Sequence, residues 1–223
     1  MPKVIDAVVT DGDGTLWKGA VSAAIGKEYL LKALRDKDIA TFVSGILGAA
    51  RVVSISTFHD HEGSVKGQKT FYDTLIANGI GMKNEMRTFA RQHIRKNIIE
   101  KIENMIRYYT LWNTPTFLST MAGSTAAEYA VENLNLTESV SNVDMFDDTG
   151  KLVGFSVAMH NGEEKLAKTE SMLDKYNIKL DNCIVIGNSA NDIPLLMSAK
   201  IAVASPFASD KVLALKRITR ISS

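Results

Sequence analysis

Apolar residues recur along this chain with two different periods, and the change from one to the other sets out the elements. Lys3 to Thr10 is a nearly unbroken run of Val, Ile and Ala that stops at Asp-Gly-Asp-Gly, the pattern of a doubly covered parallel strand entering a tight loop. From about Ala20 to Tyr109 the spacing becomes helical, with Leu30, Leu31 and Leu34 in one segment and Ile94, Ile98, Ile102, Met105 and Ile106 in another. Trp112-Asn113-Thr114-Pro115 breaks that pattern and leads into a predicted short strand, Thr116 to Leu118, and a helix over Ser124 to Leu134. Two alternating stretches, Val140 to Phe146 and Leu152 to Ala158, flank Asp147-Asp148-Thr149-Gly150 and predict a hairpin. A helix over Gly162 to Tyr176, a buried strand at Cys183 to Gly187, a short helix near Asp192 and a last strand at Ile201 to Ala204 complete the series.

Strands alternating with helices predict an α/β fold with a doubly wound, Rossmann-like parallel sheet. The long helical stretch is then an insertion after the first strand. This divides the chain into a core of residues 1–18 and 111–223 and a helical cap of residues 19–110.

Composition narrows the class without naming a chemistry. Of 223 residues, 45% are hydrophobic and 23% charged, so neither disorder nor a membrane-embedded fold is expected. A formal net charge of +1 gives no overall attraction to nucleic acid or anionic lipid. Cys183 is the only cysteine, which excludes an internal disulfide and suggests a reducing, cytoplasmic setting. The start of the chain lacks the longer apolar core of a secretory signal. Ile39 to Ser56 approaches the length of a membrane span, but Arg51 and its Ser, Thr and Gly content favour a packed helix.

Candidate chemistry gathers where the predicted strands end, the usual ligand edge of an open α/β sheet. Asp11-Gly12-Asp13-Gly14-Thr15 places two carboxylates two apart on a glycine-bearing loop. One can attack phosphorus as a nucleophile while the other handles protons, although such a sequence also suits a plain turn. Ser119 and Thr120 offer hydroxyls and backbone N–H groups to a phosphoryl oxygen, or alternatively a helix cap. Lys165 supplies a point charge suited to a carboxylate and a phosphate together. Gly187-Asn188-Ser189-Ala190-Asn191-Asp192 brings hard oxygen donors, and magnesium suits Asp11, a backbone oxygen near Asp13, and Asn188 or Asp192.

In this order the four segments resemble the four motifs of the haloacid dehalogenase superfamily. Asp11-Gly12-Asp13-Gly14-Thr15-Leu16 is similar to its first motif, Ser119 to its second, Lys165 to its third, and Gly187 to Asp192 to its fourth. Lys165 precedes Asn188 by 23 positions, a spacing similar to that of the phosphoserine-phosphatase-like branch, which Lys168 matches less well. The resemblance implies that Asp11 is the nucleophile and Asp13 the acid/base. It implies that Gly14, Thr15, Ser119, Thr120 and Lys165 bind phosphate, and that Asp11, Asp13, Asn188 and Asp192 hold Mg2+. An aspartate at position 13, where the superfamily's ATP-driven pumps carry threonine and its dehalogenases lack the acid/base, implies phosphate-ester chemistry.

Two departures from the pattern matter. Asn188 stands where relatives usually have a metal-binding aspartate, which removes one negative charge. The glutamate that meets the substrate amine in phosphoserine phosphatases corresponds to about Ala20, which argues against phosphoserine as substrate. The expected function is therefore Mg2+-dependent hydrolysis of a small phosphorylated metabolite, with no nucleic acid or membrane partner and a monomeric or homodimeric state. Phosphoryl transfer to a second hydroxyl, or non-catalytic binding of a phosphorylated ligand or RNA, are the alternatives. His59-Asp60-His61-Glu62 reads as a polar cap loop, and Arg87, Arg91, Arg95, Lys96, Lys101 and Arg107 as a solvated basic face interspersed with glutamates.

Overall fold

The structure, a computed structural model, describes residues 5–39, 41, 43 and 61–221. The His59-Asp60 pair, the side chains of His61 and Glu62, and nearly all of the Ile39 to Ser56 segment lie outside the described residues. No helix among the described residues is long and apolar enough to cross a membrane.

The chain order is β1 (Ala7–Thr10), α1 (Val21–Arg35), α2 (His61–Ala77), α3 (Lys83–Asn97), α4 (Glu100–Leu111), β2 (Thr116–Gly123), α5 (Ser124–Leu134), β3 (Glu138–Phe146), β4 (Leu152–Ser156), α6 (Gly162–Asp174), β5 (Cys183–Gly187), α7 (Ile193–Ser198), β6 (Ile201–Ala204), α8 (Asp210–Leu213) and β7 (Ile218–Arg220). The strands form one seven-stranded sheet in the order β4-β3-β2-β1-β5-β6-β7. Every neighbouring pair is parallel except the antiparallel β3–β4 hairpin at one edge. The α/β Rossmann-like sheet expected from the alternation is the fold observed.

Residues of β1 alternate between the two faces of this sheet, as strand geometry requires. Ala7 and Val9 join Phe117, Val185, Met172 and Leu173 beneath α6, while Val8 joins Leu118, Ile184 and Ile186 on the opposite face. The second cluster extends without a break into Ile25, Tyr29, Tyr72, Met86, Ile94 and Ile102, so the helices between β1 and β2 share the apolar core of the sheet.

Local differences from the sequence reading have physical causes. In α1 the buried stripe is Val21, Ile25, Tyr29 and Ala33, whereas Leu31 and Leu34 are largely exposed. The apolar pattern from Ile94 to Ile106 spans two helices rather than one. The chain turns at Ile98, where the Ile99 N–H donates to Leu16 O at 2.9 Å, and both helices then bury residues in the same cluster. Strand β2 runs five residues beyond the predicted Leu118, because Asn142 holds its bulged end. The Asn142 amide donates to Met121 O at 2.7 Å and accepts from the Ala158 and Met159 N–H groups at 2.9 and 3.0 Å. The basic face is partly spoken for: Arg87 pairs with Glu132 and Arg107 with Glu103, each at 2.6 Å.

Candidate active site

The carboxyl ends of β1 and β5 and the start of α6 meet around one ammonium group. Lys165 is 1% exposed, and its Nζ donates to Asp11 Oδ1 and to Asp192 Oδ1, both at 2.7 Å. Strand β1 delivers Asp11 immediately after its buried run, and the Asp11 N–H is fixed by Ile186 O of β5 at 2.9 Å. Lys165 sits in the first turn and a half of α6, which Asn161 caps by accepting from the Glu164 N–H. Residues from three distant segments are thus locked together in a buried triad of charges.

Asp192 has both oxygens engaged. While Oδ1 takes the lysine, Oδ2 accepts from the Asn188 and Ser189 N–H groups at 2.9 Å and from the Ser189 hydroxyl at 3.0 Å. A Cβ on Gly187 would lie 2.6 Å from Asp192 Cβ, so only glycine lets this loop fold back so tightly. Burial raises the proton affinity of Asp192, but Lys165 and the loop N–H groups outweigh it and hold the carboxyl below its ordinary range. Asp192, expected among the metal ligands, has the geometry of an anchor for Lys165 and its own loop.

Asp11 has the opposite balance. Burial first, and then the Asp192 and Asp13 carboxylates, push its pKa up to about 7 against the opposing pull of Lys165. Lys165 itself is held protonated, the two carboxylates overcoming its desolvation. Asp13 has its Oδ1 on the Trp17 indole N–H at 2.6 Å and on the Val21 N–H at 3.1 Å, the first turn of α1. A helix amino terminus favours an anion there. Burial nevertheless raises the pKa of Asp13, with Trp17 and Val21 opposing. Trp17 was not among the sequence candidates, and only its position four residues after Asp13 hinted at contact.

The glycine loop presses directly on the fourth segment. Gly14 adopts φ +78°, and a Cβ there would lie 2.3 Å from the Asn188 amide nitrogen. The Thr15 hydroxyl donates to Asn188 Oδ1 at 3.0 Å. Ser205, following β6, donates to Gly14 O at 2.9 Å and closes the far side. Ser119 lies one position beyond the paired Thr10 and Leu118, on the Asp11 side of the sheet. Its hydroxyl is 2.7 Å from Thr169 Oγ1, and because Thr169 donates to Lys165 O, Ser119 is the donor of that pair. Thr120 faces the other side, where a Cβ on Gly12 would lie 2.8 Å from its hydroxyl oxygen.

The donor set suits a hard divalent cation. Asp11 is buried beside Lys165, burial first and then the Asp192 and Asp13 carboxylates raising its pKa, so a cation at its free oxygen would favour the charged form. Magnesium takes few protein oxygens and keeps several waters. Asp11, a backbone oxygen near Asp13, and the Asn188 carbonyl are of that kind.

Comparison with known proteins follows the same line. Residues 157–220, which carry Lys165, Asn188 and Asp192, match the model of the haloacid dehalogenase-like hydrolase family. No curated protein matches the sequence. A substrate-bound phosphoserine phosphatase superposes with a TM-score of 0.73 at 16% identity, over 98% of this chain and 93% of that one. A phospho-aspartyl intermediate analogue of phosphoserine phosphatase gives 0.72 at 18% identity, over 99% and 95%. A haloacid dehalogenase family hydrolase from Salmonella enterica subsp. enterica serovar Typhi gives 0.73 at 17% identity, over 99% and 68%. At these identities the structures speak for the fold, and the family match concerns residues 157–220. The resemblance first read from the motifs is borne out: residues 157–220 match the haloacid dehalogenase-like hydrolase model, and the chain shares its fold with phosphoserine phosphatases.

Proposed function

We propose that this chain hydrolyses phosphate monoesters of small metabolites, with Asp11 as nucleophile and Mg2+ as cofactor. The observation that carries this reading is the buried triad in which Lys165 bridges Asp11 and Asp192 at 2.7 Å each. One oxygen of Asp11 is held by the lysine. The other attacks phosphorus in line, forming the P–O bond of an aspartyl phosphate as the ester P–O bond breaks. Asp13, whose raised pKa favours carrying a proton, protonates the departing alkoxide. It then takes a proton from the water that hydrolyses the acyl phosphate, releasing inorganic phosphate and restoring Asp11.

Lys165 balances charge on Asp11 and on the phosphoryl oxygens throughout. Ser119 reaches a phosphoryl oxygen by turning its hydroxyl away from Thr169. Bound at Asp11, the Asp13 backbone and Asn188, the metal ion supplies positive charge that offsets repulsion between the carboxylate and the phosphate. The helices between β1 and β2 act as a cap that excludes water and selects the alcohol portion of the ester.

Hydrolysis of an aryl phosphate in the presence of Mg2+ tests the reading. Native protein is expected to turn it over and Asp11→Asn to fall to background, while equal rates in the two proteins reject the nucleophile.

A further inference from the structure

Ser119 and Thr169 are both 0% exposed and Lys165 is 1% exposed, so the hydroxyl protons between them can be counted away from bulk water. Thr169 Oγ1 lies 2.7 Å from Lys165 O, and a carbonyl oxygen only accepts, so the single Thr169 proton is spent there. Ser119 Oγ lies 2.7 Å from the same Thr169 oxygen, and its own single proton is therefore the one that makes that bond. The hydroxyls form a one-way chain from β2 into α6, from Ser119 to Thr169 to Lys165 O.

The donors left for a phosphoryl group are then few. Two of the three Lys165 ammonium protons go to Asp11 and Asp192 at 2.7 Å each, which leaves one. The Ser119 hydroxyl can supply another only by leaving Thr169. When it does, the buried Thr169 oxygen loses the one donor it has among the described residues. Giving up one buried hydrogen bond to make another cancels part of the gain. Thr169 thus competes with phosphate for a single proton. It stands in the middle of α6, where threonine is a weaker helix former than alanine or leucine, so its hydroxyl rather than its backbone preference sets it apart.

We propose that Thr169 is a positioning residue that holds the Ser119 hydroxyl away from phosphoryl oxygens and so keeps the affinity for inorganic phosphate low, easing its release at the end of turnover. The inference rests on the phosphatase reading given above, in which Ser119 contacts a phosphoryl oxygen.

Calorimetric titration with inorganic phosphate and Mg2+ tests it without turnover. Thr169→Val removes the acceptor and frees the Ser119 proton, so phosphate is expected to bind about fivefold more tightly than to native protein, the scale of one neutral hydrogen bond. Thr169→Ser keeps an oxygen in place and should bind phosphate as native protein does. In a Ser119→Ala background Thr169→Val should change nothing, because the proton competed for is gone. Thr169→Ala removes the same oxygen from a smaller side chain and should move the affinity in the same direction as Thr169→Val, with thermal unfolding showing that each variant is folded. A residue that only supported the packing of α6 would lower the thermal midpoint and leave phosphate binding unaltered or weaker, with or without the Ser119 hydroxyl. Affinity that does not rise in Thr169→Val and Thr169→Ala, or that rises equally in the Ser119→Ala background, overturns the inference.

Steady-state hydrolysis of an aryl phosphate separates this result from the phosphatase reading. In Thr169→Val, KM for the ester and the inhibition constant for phosphate should fall together, while kcat does not rise. Tighter phosphate binding in that variant, with no ester hydrolysed by native protein, would sink the phosphatase reading and keep the competition for Ser119. Hydrolysis with phosphate affinity unaltered by the substitution would do the reverse. Phosphate bound by none of these proteins, with no ester hydrolysed, would remove both.

Discussion

Two places in this molecule bury carboxylates, and they treat them in opposite ways. Around Lys165 the charges are paired: the ammonium joins Asp11 to Asp192, and the second oxygen of Asp192 accepts three further hydrogen bonds. Against α2, Asp144 accepts from the Thr125 N–H at 2.8 Å and has the Tyr72 phenol as its other polar neighbour, with no cation beside it among the described residues. Complete pairing fixes geometry and suits residues that must be in place before substrate arrives. Neutral donors hold the second carboxylate in place without a countercharge, as a cap on α5. If that distinction holds, damage to the first region should be severe for the fold and for hydrolysis together, and damage to the second should cost the fold less, on the scale of a helix cap.

The largest effect is expected at the centre of the paired region. Lys165→Met leaves Asp11 and Asp192 buried side by side with no cation between them. Breaking a buried pair in this way costs about 3–5 kcal/mol. Denaturant unfolding should register that loss, together with abolished hydrolysis. A loss near zero would mean that the triad does not hold these strand ends together.

A smaller effect is expected at Asp11, and it depends on pH. Its folded pKa, pushed up to about 7 chiefly by burial, lies above the unfolded value. Such a carboxyl keeps its proton to higher pH in the folded state, so stability falls between about pH 4 and pH 7 and is level above that range. Asp11→Asn removes the fall. In the presence of chelator the variant should be more stable than native protein at pH 8 by on the order of 1–3 kcal/mol, and equal to it at pH 4. A native stability that does not decline over that interval would show that Lys165 fully compensates the buried charge.

Asn188 sharpens the comparison through the metal. It accepts from Thr15 and lies against Gly14, so its side chain is already placed beside the first loop. Asn188→Asp adds a charge in that position without enlarging the side chain. Mg2+ measured by titration should bind about tenfold more tightly, the scale of a unit charge acting through a partly solvated site. Unchanged or weaker binding would remove Asn188 from the ligand set.

Much of the paired region could be read from the sequence because it lies where short apolar runs stop. Asp11 follows β1 and Asn188 follows β5, and strand ends in an open parallel sheet are where ligands gather. Lys165 was reached through spacing and family resemblance, since nothing about one lysine on a helix reveals that it is buried. The partners that complete the pocket were harder to foresee. Trp17 and Thr169 look like ordinary core and helix residues until the fold sets them beside Asp13 and Ser119. The surroundings of Asp144 were not readable at all, because Tyr72, Thr125 and Asp144 come from three separate elements and each sits in an unexceptional local pattern. The end of β2 was missed for a related reason. Ser-Thr-Met-Ala-Gly has the composition of a loop, and it is Asn142, well over a dozen residues later, that keeps it in the sheet.

The smallest expected effect serves as the control for the whole comparison. Lys175 also joins its ammonium to a carboxylate, Glu138 Oε1, and at 2.5 Å the contact is shorter than either made by Lys165. The difference lies in the surroundings: the Lys175 side chain is 60% exposed, and Tyr176 donates a second hydrogen bond to Glu138 Oε2 at 2.9 Å. Water and salt screen such a pair, and its two chains lose freedom in making it. Lys175→Met should leave the thermal midpoint and the hydrolysis rate within error of native protein, even though the contact removed is formally the same as in Lys165→Met. A destabilisation approaching that of Lys165→Met would mean that contact length, rather than burial and completeness of pairing, governs what an ion pair contributes in this fold.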